Sequence, residues 1–280
     1  ETGVLAKQAD GAVTVRLGDT ILLATIVSTK EAREGIDFLP LTVEYREKFS
    51  AAGRFPGGFF KREARMSDHE TLTCRLVDRA IRPLFPEDFH GDTQVVISMM
   101  SSDKKNPGDS LACLAASACI AVSDVPFDGP VSEVRVARVD GKFIINPMVA
   151  DIERADIEMV VAGTATDIMM VEGEMKEVQE VDMIEAIKLA HEAIKDQCRV
   201  IKELGEAVAK SHVKRTYSHE NANPELEKKI MDFCYQKYYD LAMAASAKEV
   251  RGEKFKSIKE ECMATLSDEE KTDGAMLGRY

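Results

Sequence analysis

Strand signals fill the first 173 residues of the sequence and none follows them, so an α/β body must be succeeded by something wholly helical. Residues 12–29 alternate as a hairpin, with Val13, Val15 and Leu17, a Gly18-Asp19 turn, and an apolar, β-branched run from Ile21 to Val27. Residues 41–47 and 94–100 predict further strands. Four more fall at 131–139, 142–146, 156–162 and 168–172, with Asp140-Gly141 as a hairpin turn. Between them, Ser67-Asp68-His69-Glu70 has the form in which a Ser oxygen and a Glu carboxylate each satisfy a free N–H at a helix start. Leu72, Leu76, Ala80 and Ile81 form the apolar stripe expected of that helix, and Pro83 closes it. The small residues of 110–123 suit a helix pressed closely against a sheet. A long amphipathic helix over about 181–210 is expected to bury Val181, Ile184, Ile187, Ile194, Cys198, Ile201 and Val208. The fold class is α/β (α+β), a two-layer core over about 1–212.

Composition shifts over 214–223, and Asn223-Pro224 is a helix start with Pro at the first helical position. Helices are predicted at about 225–246 and 249–265, with Ser267 to Glu270 capping a short third, so 213–280 is a small all-helical domain. Tyr235, Tyr238 and Tyr239 lie at helical spacing and are expected in its core rather than as a stacking platform.

No apolar run is long enough to span a membrane, and no charged-then-apolar secretory segment opens the chain. The start at Glu1-Thr2-Gly3, without Met, suits a trimmed chain. Six scattered cysteines form no CxxC pair and are expected as buried thiols of a cytoplasmic, zinc-free protein. A net charge of −12 excludes a broadly basic nucleic-acid coat, so any cations that meet a polyanion must be concentrated locally.

They are concentrated between Lys61 and Arg82. The stretch GRFPGGFFKREAR (53–65) cannot propagate a helix or a central strand through its Pro-Gly-Gly run, so Phe59 and Phe60 sit on a loop. Lys61, Arg62 and Arg65 follow directly. Either the two rings plug the core, or they stack on bases while the cations track phosphates, as single strands are held without reading sequence. On the Ser67 helix, Arg75, Arg79 and Arg82 are spaced by four and three and share a face. That face is either a row turned to phosphate or an ion-pair ladder through Asp78.

Chemistry is harder to find. The turn Asn106-Pro107-Gly108 leads into a helix, whose N-terminus is an anion site in principle, but Asp109 at the expected N-cap would occupy it. Asp151, Glu153, Asp156 and Glu158 suit either a hard metal or the solubility of an edge strand. The histidines are isolated, no Gly-rich nucleotide fingerprint follows a strand, and no catalytic or metal-binding constellation is expected.

Three long stretches, PLTVEYREKFSAAGRFPGGFFKREAR, ETLTCRLVDRAIRPLFPEDF and NPGDSLACLAASACIAVSDVPFDGPV, resemble the first RNase PH-like core of the bacterial polyribonucleotide nucleotidyltransferase (polynucleotide phosphorylase) family. The final helices are similar to that family's helical linker domain. The resemblance implies an RNase PH-like core at 1–212 and a linker at 213–280, in a ring-shaped homotrimer that degrades single-stranded RNA from its 3′ end. Phosphate is the co-substrate, nucleoside diphosphates are released, and Mg²⁺ and the active site belong to a second core outside these residues. The family's aromatic-basic constriction loop falls on Phe59, Phe60, Lys61 and Arg62, with Lys61 where many relatives have Arg. The active core's serine-rich phosphate loop corresponds here to Gly108, Asp109 and Ser110, and its first metal-binding carboxylate to Asn146, while Asp156 keeps an acid. The resemblance therefore implies a catalytically silent core serving ring assembly and RNA admission through Phe59–Arg62, and the pattern of cations adds Arg65, Arg75, Arg79 and Arg82 to the expected RNA-binding residues. Two alternatives stand beside it: an active site in this core itself, and a pure assembly scaffold.

Overall fold

A computed structural model describes residues 1–33, 36–63, 65–217, 223–245, 247–272 and 277. The chain divides into two compact units, Glu1–Arg33 with Phe38–Ser218, and Glu34–Asp37 with His219–Tyr280.

The larger unit holds two four-stranded sheets. The first, in order β1-β2-β4-β3, comprises β1 (Gly11–Leu17), β2 (Thr20–Ser28), β3 (Leu41–Arg46) and β4 (Thr93–Ser101). Gly18 at φ +60° makes the β1–β2 turn, and β3 alone runs parallel to its neighbour. Burial alternates along β2 from Thr20 to Ile26, so one face of this sheet is core and the other is wet. The second sheet, β6-β5-β7-β8, comprises β5 (Ser132–Val139), β6 (Lys142–Ile145), β7 (Ile157–Gly163) and β8 (Ile168–Met175), all antiparallel. The expected Asp140-Gly141 turn has both residues at positive φ, the geometry that matches the twist of a two-residue hairpin. β8 runs three residues past the end of the predicted strand at 168–172, extended by pairing with β7.

Helix α1 (Asp68–Ile81) packs on β3, and α2 (Ala112–Ala121) lies across β1, β2 and β5. The single turn α3 (Val149–Ile152) touches β5, and the long α4 (Glu180–Glu206) covers β5 and β7. The small residues of α2 permit its close approach: a Cβ on Gly11 would stand 2.1 Å from the carbonyl oxygen of Cys119. One core cluster runs from Val13 and Ile26 through Ala115 and Ile120 of α2 to Val160 and Ala162 of β7. A second joins Val134, Val136, Ile157, Met159 and Val161 to Ala186, Ala190 and Ile194 of α4. Alternate residues of β7 thus serve different cores, which is why that strand is a continuous apolar run.

The capping box at Ser67 forms as expected, with Ser67 N–H donating to Glu70 Oε2 (2.7 Å) and Glu70 N–H to Ser67 Oγ (3.2 Å). The expected apolar stripes need correction. In α1 the buried side is Thr73, Cys74, Val77, Ala80 and Ile81, while Leu72 is exposed. In α4 it is Ala186, Ala190, Ile194, Cys198, Ile201 and Gly205, with Val181 and Ile184 exposed. α1 packs through Val77, Ala80 and Ile81 and α4 through Ala186, Ala190 and Ile194, so each buried side interleaves small and branched residues to fill the space against the strands. All six cysteines are buried and free.

The smaller unit contains α5 (Pro224–Met243) and α6 (Lys248–Thr265), joined by a cluster of Leu226, Ile230, Cys234, Cys262 and Leu266. Asn223 Oδ1 accepts the Leu226 N–H at 3.1 Å, as the Asn-Pro start predicts. Only Tyr238 of the three tyrosines joins the core, edge-on to Phe255 at 5.2 Å. Tyr235 and Tyr239 are exposed and stack on each other, which corrects the expectation of a core position. The Ser267–Glu270 cap forms (2.7 and 3.2 Å) but opens a turn through Lys271 rather than a described helix. The composition shift at 214–223 and the last residue of the predicted helix over 225–246 fall partly outside the described residues.

Candidate nucleic-acid interface

The loop after β3 is pinned at its base. A 3₁₀ turn at Phe49–Ala52 ends on Gly53 at φ +66°, where Gly53 N–H donates to Ser50 O (3.0 Å) and Arg54 N–H to Phe49 O (2.9 Å). Ser102 N–H, just past β4, donates to Ala51 O at 3.0 Å and fixes this turn to the first sheet. Glu63 Oε1 accepts the Phe49 N–H (3.2 Å), closing the loop at its far end. At the tip, Lys61 N–H donates to Gly58 O (3.0 Å), with Lys61 at φ +51°.

The tip presents its rings to water. Phe59 is 93% and Phe60 80% exposed, and the two meet edge-to-face with centroids 5.3 Å apart. Within this chain neither ring is a core plug. Lys61, Arg62 and Arg65 are exposed, and among the described residues none has an ion-pair partner. Two rings and three unpaired cations on one pinned loop are what a single strand requires: faces for bases and charge for phosphates.

The arginines of α1 differ in what they have left to offer. Arg82 donates to both oxygens of Asp78 (2.7 and 2.6 Å) and to the carbonyls of Leu39 (3.0 Å) and Leu41 (3.1 Å). It anchors α1 to the start of β3. Arg79 pairs with Glu172 of β8 at 2.7 Å, an exposed pair of little energetic weight. Arg75 is exposed and, among the described residues, has no ion pair. The row is therefore part ladder and part open cation.

A second cluster lies where β5 faces α2. Strand alternation sends Val134 and Val136 to α4, and so sends Glu133 and Arg135 to the opposite face. There the Arg135 guanidinium bridges Asp109 and Glu158. Asp109 sits on the first residue of a 3₁₀ turn (Asp109–Leu111) rather than at an N-cap, which is Gly108. Its carboxylate accepts one backbone N–H, that of Ser110 (2.8 Å), and otherwise faces Arg135. The expected capping is thus corrected to an ion pair plus a single turn bond.

His69 joins this cluster from α1, 3.4 Å from Glu47 and 3.9 Å from Asp109, beside a cavity of about 380 Å³ that also touches Arg135 and Glu158. The sequence pattern had left every histidine isolated, because these partners come from separate elements. The hydrogen bond to Glu47 raises the His69 pKa, and the same bond lowers that of Glu47. Tyr45 donates to Glu47 at 2.7 Å, and burial first, then Glu47, pushes its phenol far up. Glu133 is fully buried with one carboxylate oxygen unpartnered; burial, reinforced by Asp109, pushes it up to about 8.

The residues here do not fit a divalent cation. Asn146, at φ +48°, exchanges two hydrogen bonds with the Arg135 backbone (3.0 and 2.7 Å). Asp156 is held by Arg138 through both oxygens (2.9 and 2.8 Å), and Arg138 also pairs with Asp182. Among the described residues no group of three or more His, Cys, Asp or Glu side chains is arranged to hold a metal ion. Of the acidic run at 151–158, Asp156 and Glu158 are thereby spent on arginines, and Asp151 accepts the Met148 N–H at the start of its own turn.

Residues 1–126 match the 3′ exoribonuclease family, domain 1 (RNase PH), and residues 129–193 match domain 2 of that family. Polyribonucleotide nucleotidyltransferases of Parabacteroides distasonis and Porphyromonas gingivalis are 58% and 56% identical to the chain over its full length, which covers 38% of each. That of Bacteroides fragilis is 55% identical, with 40% of it covered. The chain thus spans about two-fifths of the length of these relatives. A chain from the Archaeoglobus fulgidus exosome, solved with RNA bound to the active site, superposes with a TM-score of 0.58 at 15% identity. It covers 71% of this chain and 85% of its own, and shows a shared fold. Two consecutive family domains and identity above one half along the whole of this chain lead to one assignment: the chain belongs to the RNase PH family of 3′ exoribonucleases.

Proposed function

We propose that this chain is the N-terminal part of a 3′→5′ phosphorolytic exoribonuclease, a polyribonucleotide nucleotidyltransferase, in which it admits and grips single-stranded RNA. The observation that carries the reading is the exposed Phe59–Phe60 pair with Lys61, Arg62 and Arg65 beside it. Residues 1–212 are the core and 213–280 the linker domain of a homotrimer in the cytoplasm. Among the described residues no helix is long and apolar enough to cross a membrane. In the whole enzyme a phosphate oxygen attacks the last phosphodiester phosphorus, the bond to the preceding 3′ oxygen breaks, and a nucleoside diphosphate leaves. Mg²⁺ supplies charge stabilisation for that step from a second core. The present core is silent. Its anion-loop position holds Asp109, an acid already committed to Arg135, so an incoming phosphate meets a carboxylate and an arginine that is already paired.

Two measurements test this. Phe59→Ala and Phe60→Ala should each weaken binding of single-stranded RNA by about 1–3 kcal/mol, with the melting temperature unchanged. A large fall in melting temperature at constant affinity would make the rings packing residues and this chain a scaffold. Incubated with RNA, phosphate and Mg²⁺, the chain should release no nucleoside diphosphate. Turnover that persists through further purification would instead place an active site at the His69–Glu47–Asp109 grouping, the one feature favouring that second reading.

A further inference from the structure

The loop carries a third ring that the Phe59–Phe60 reading leaves unused. Phe55 is 91% exposed, and its neighbour Arg54 is exposed with no ion pair among the described residues. Arg54 is also the residue at which the pinned turn ends, so Phe55 leaves a fixed stem. Between the two aromatic positions lie Gly57 and Gly58. Neither has a positive φ, and a Cβ built on either would meet nothing within 4 Å. The fold of the chain thus gives no reason for glycine at either position. Bare backbone between aromatic side chains is, however, what a closely approaching ligand needs.

We infer that Phe55, with Arg54, is a second stacking step for single-stranded RNA on the stem of the loop, and that Gly57 and Gly58 keep open the space the strand crosses between Phe55 and the tip. The inference rests on the RNA reading of Phe59 and Phe60. Four residues of chain span at most roughly 14 Å. That reach accommodates up to about four stacked nucleotide steps at about 3.4 Å each. The stem ring therefore meets bases adjoining those at the tip. Arg54 repeats, beside Phe55, the ring-and-cation pairing that Lys61 and Arg62 make beside Phe60.

The chain contains no tryptophan, so a single Phe55→Trp substitution introduces a unique fluorophore. The probe is a single-stranded oligouridylate of about twelve nucleotides, within the range one such site covers. Emission of the Phe55→Trp protein should be quenched on titration, with the same salt-dependent midpoint as in a separate Phe59→Trp protein. Phe55→Ala should weaken affinity by about five- to hundredfold, and Phe55→Leu by nearly as much, since an aliphatic side chain offers no stacking face. Quenching in Phe59→Trp with none in Phe55→Trp would overturn the inference and leave the RNA reading intact. Quenching in neither would overturn both. Full affinity in Phe55→Leu would make the ring an apolar contact. A change in light-scattering mass with Phe55→Ala, at unchanged affinity, would assign it to packing against another copy of the chain. Melting temperatures measured alongside should not move, because a ring this exposed has almost no packing to lose.

Discussion

The loop at 53–65 and the cluster around Arg135 both concentrate charge, and they handle it in opposite ways. In the loop the cations have no partner within the described chain and three apolar rings stand in water. In the cluster Arg135 is half-buried between two carboxylates, and a third, Glu133, is kept out of water altogether. A protein does not expose three phenylalanines beside four cations for its own stability, since burying them would be favourable. Nor does it leave a working anion site with its cation already neutralised. The unpaired region is the one that expects a partner, and the paired region is spent on holding β5, β7 and the α2 turn together.

The contrast is broken most forcefully at Arg135. Arg135→Met should cost about 3–5 kcal/mol, because it strands Asp109 and Glu158 without their counter-charge. Urea unfolding should show this loss while RNA affinity, which the proposed function assigns to the loop, stays constant. A parallel loss of RNA affinity at temperatures where the variant is folded would show that the two regions are not separate.

Next in size is the pH response of Glu133. Its folded pKa, about 8, lies above the ordinary 4.5, so the folded state binds a proton that the unfolded state has released. Stability is therefore full below about pH 4.5 and falls as pH rises to about 8, by on the order of a few kcal/mol. Glu133→Gln should flatten this window and be the more stable protein at pH 8. Identical pH profiles would mean that the carboxylate is ionised and paired in the fold.

The smallest effect belongs to the loop's cations. Lys61→Ala or Arg62→Ala should each lower the slope of log affinity against log salt by about 0.7, one phosphate contact on a single strand. Stability should not change, since both side chains are exposed and unpaired. An unchanged slope would remove that residue from the phosphate track.

Much of the fold is local information, and the sequence therefore determined it. A capping box spans four residues, an Asp-Gly hairpin two, and strand alternation repeats every second residue, so Ser67–Glu70, Asp140-Gly141 and eight strands follow from short windows. The Pro-Gly-Gly run likewise forbids regular structure around Phe59 and Phe60. The tertiary structure decided what depends on register between distant segments. Which side of α4 is buried follows from how near the helix can come to β5 and β7, so Ala186 and Ala190 displaced the bulkier Val181 and Ile184. His69, Glu47, Asp109 and Arg135 meet only because α1, the end of β3, the turn before α2 and β5 are brought to one point. Nothing in the spacing of these four along the chain signals their meeting. Hydrogen bonds closed within a turn are legible in sequence, whereas contacts set by the stacking of whole elements exist only once the sheets have formed.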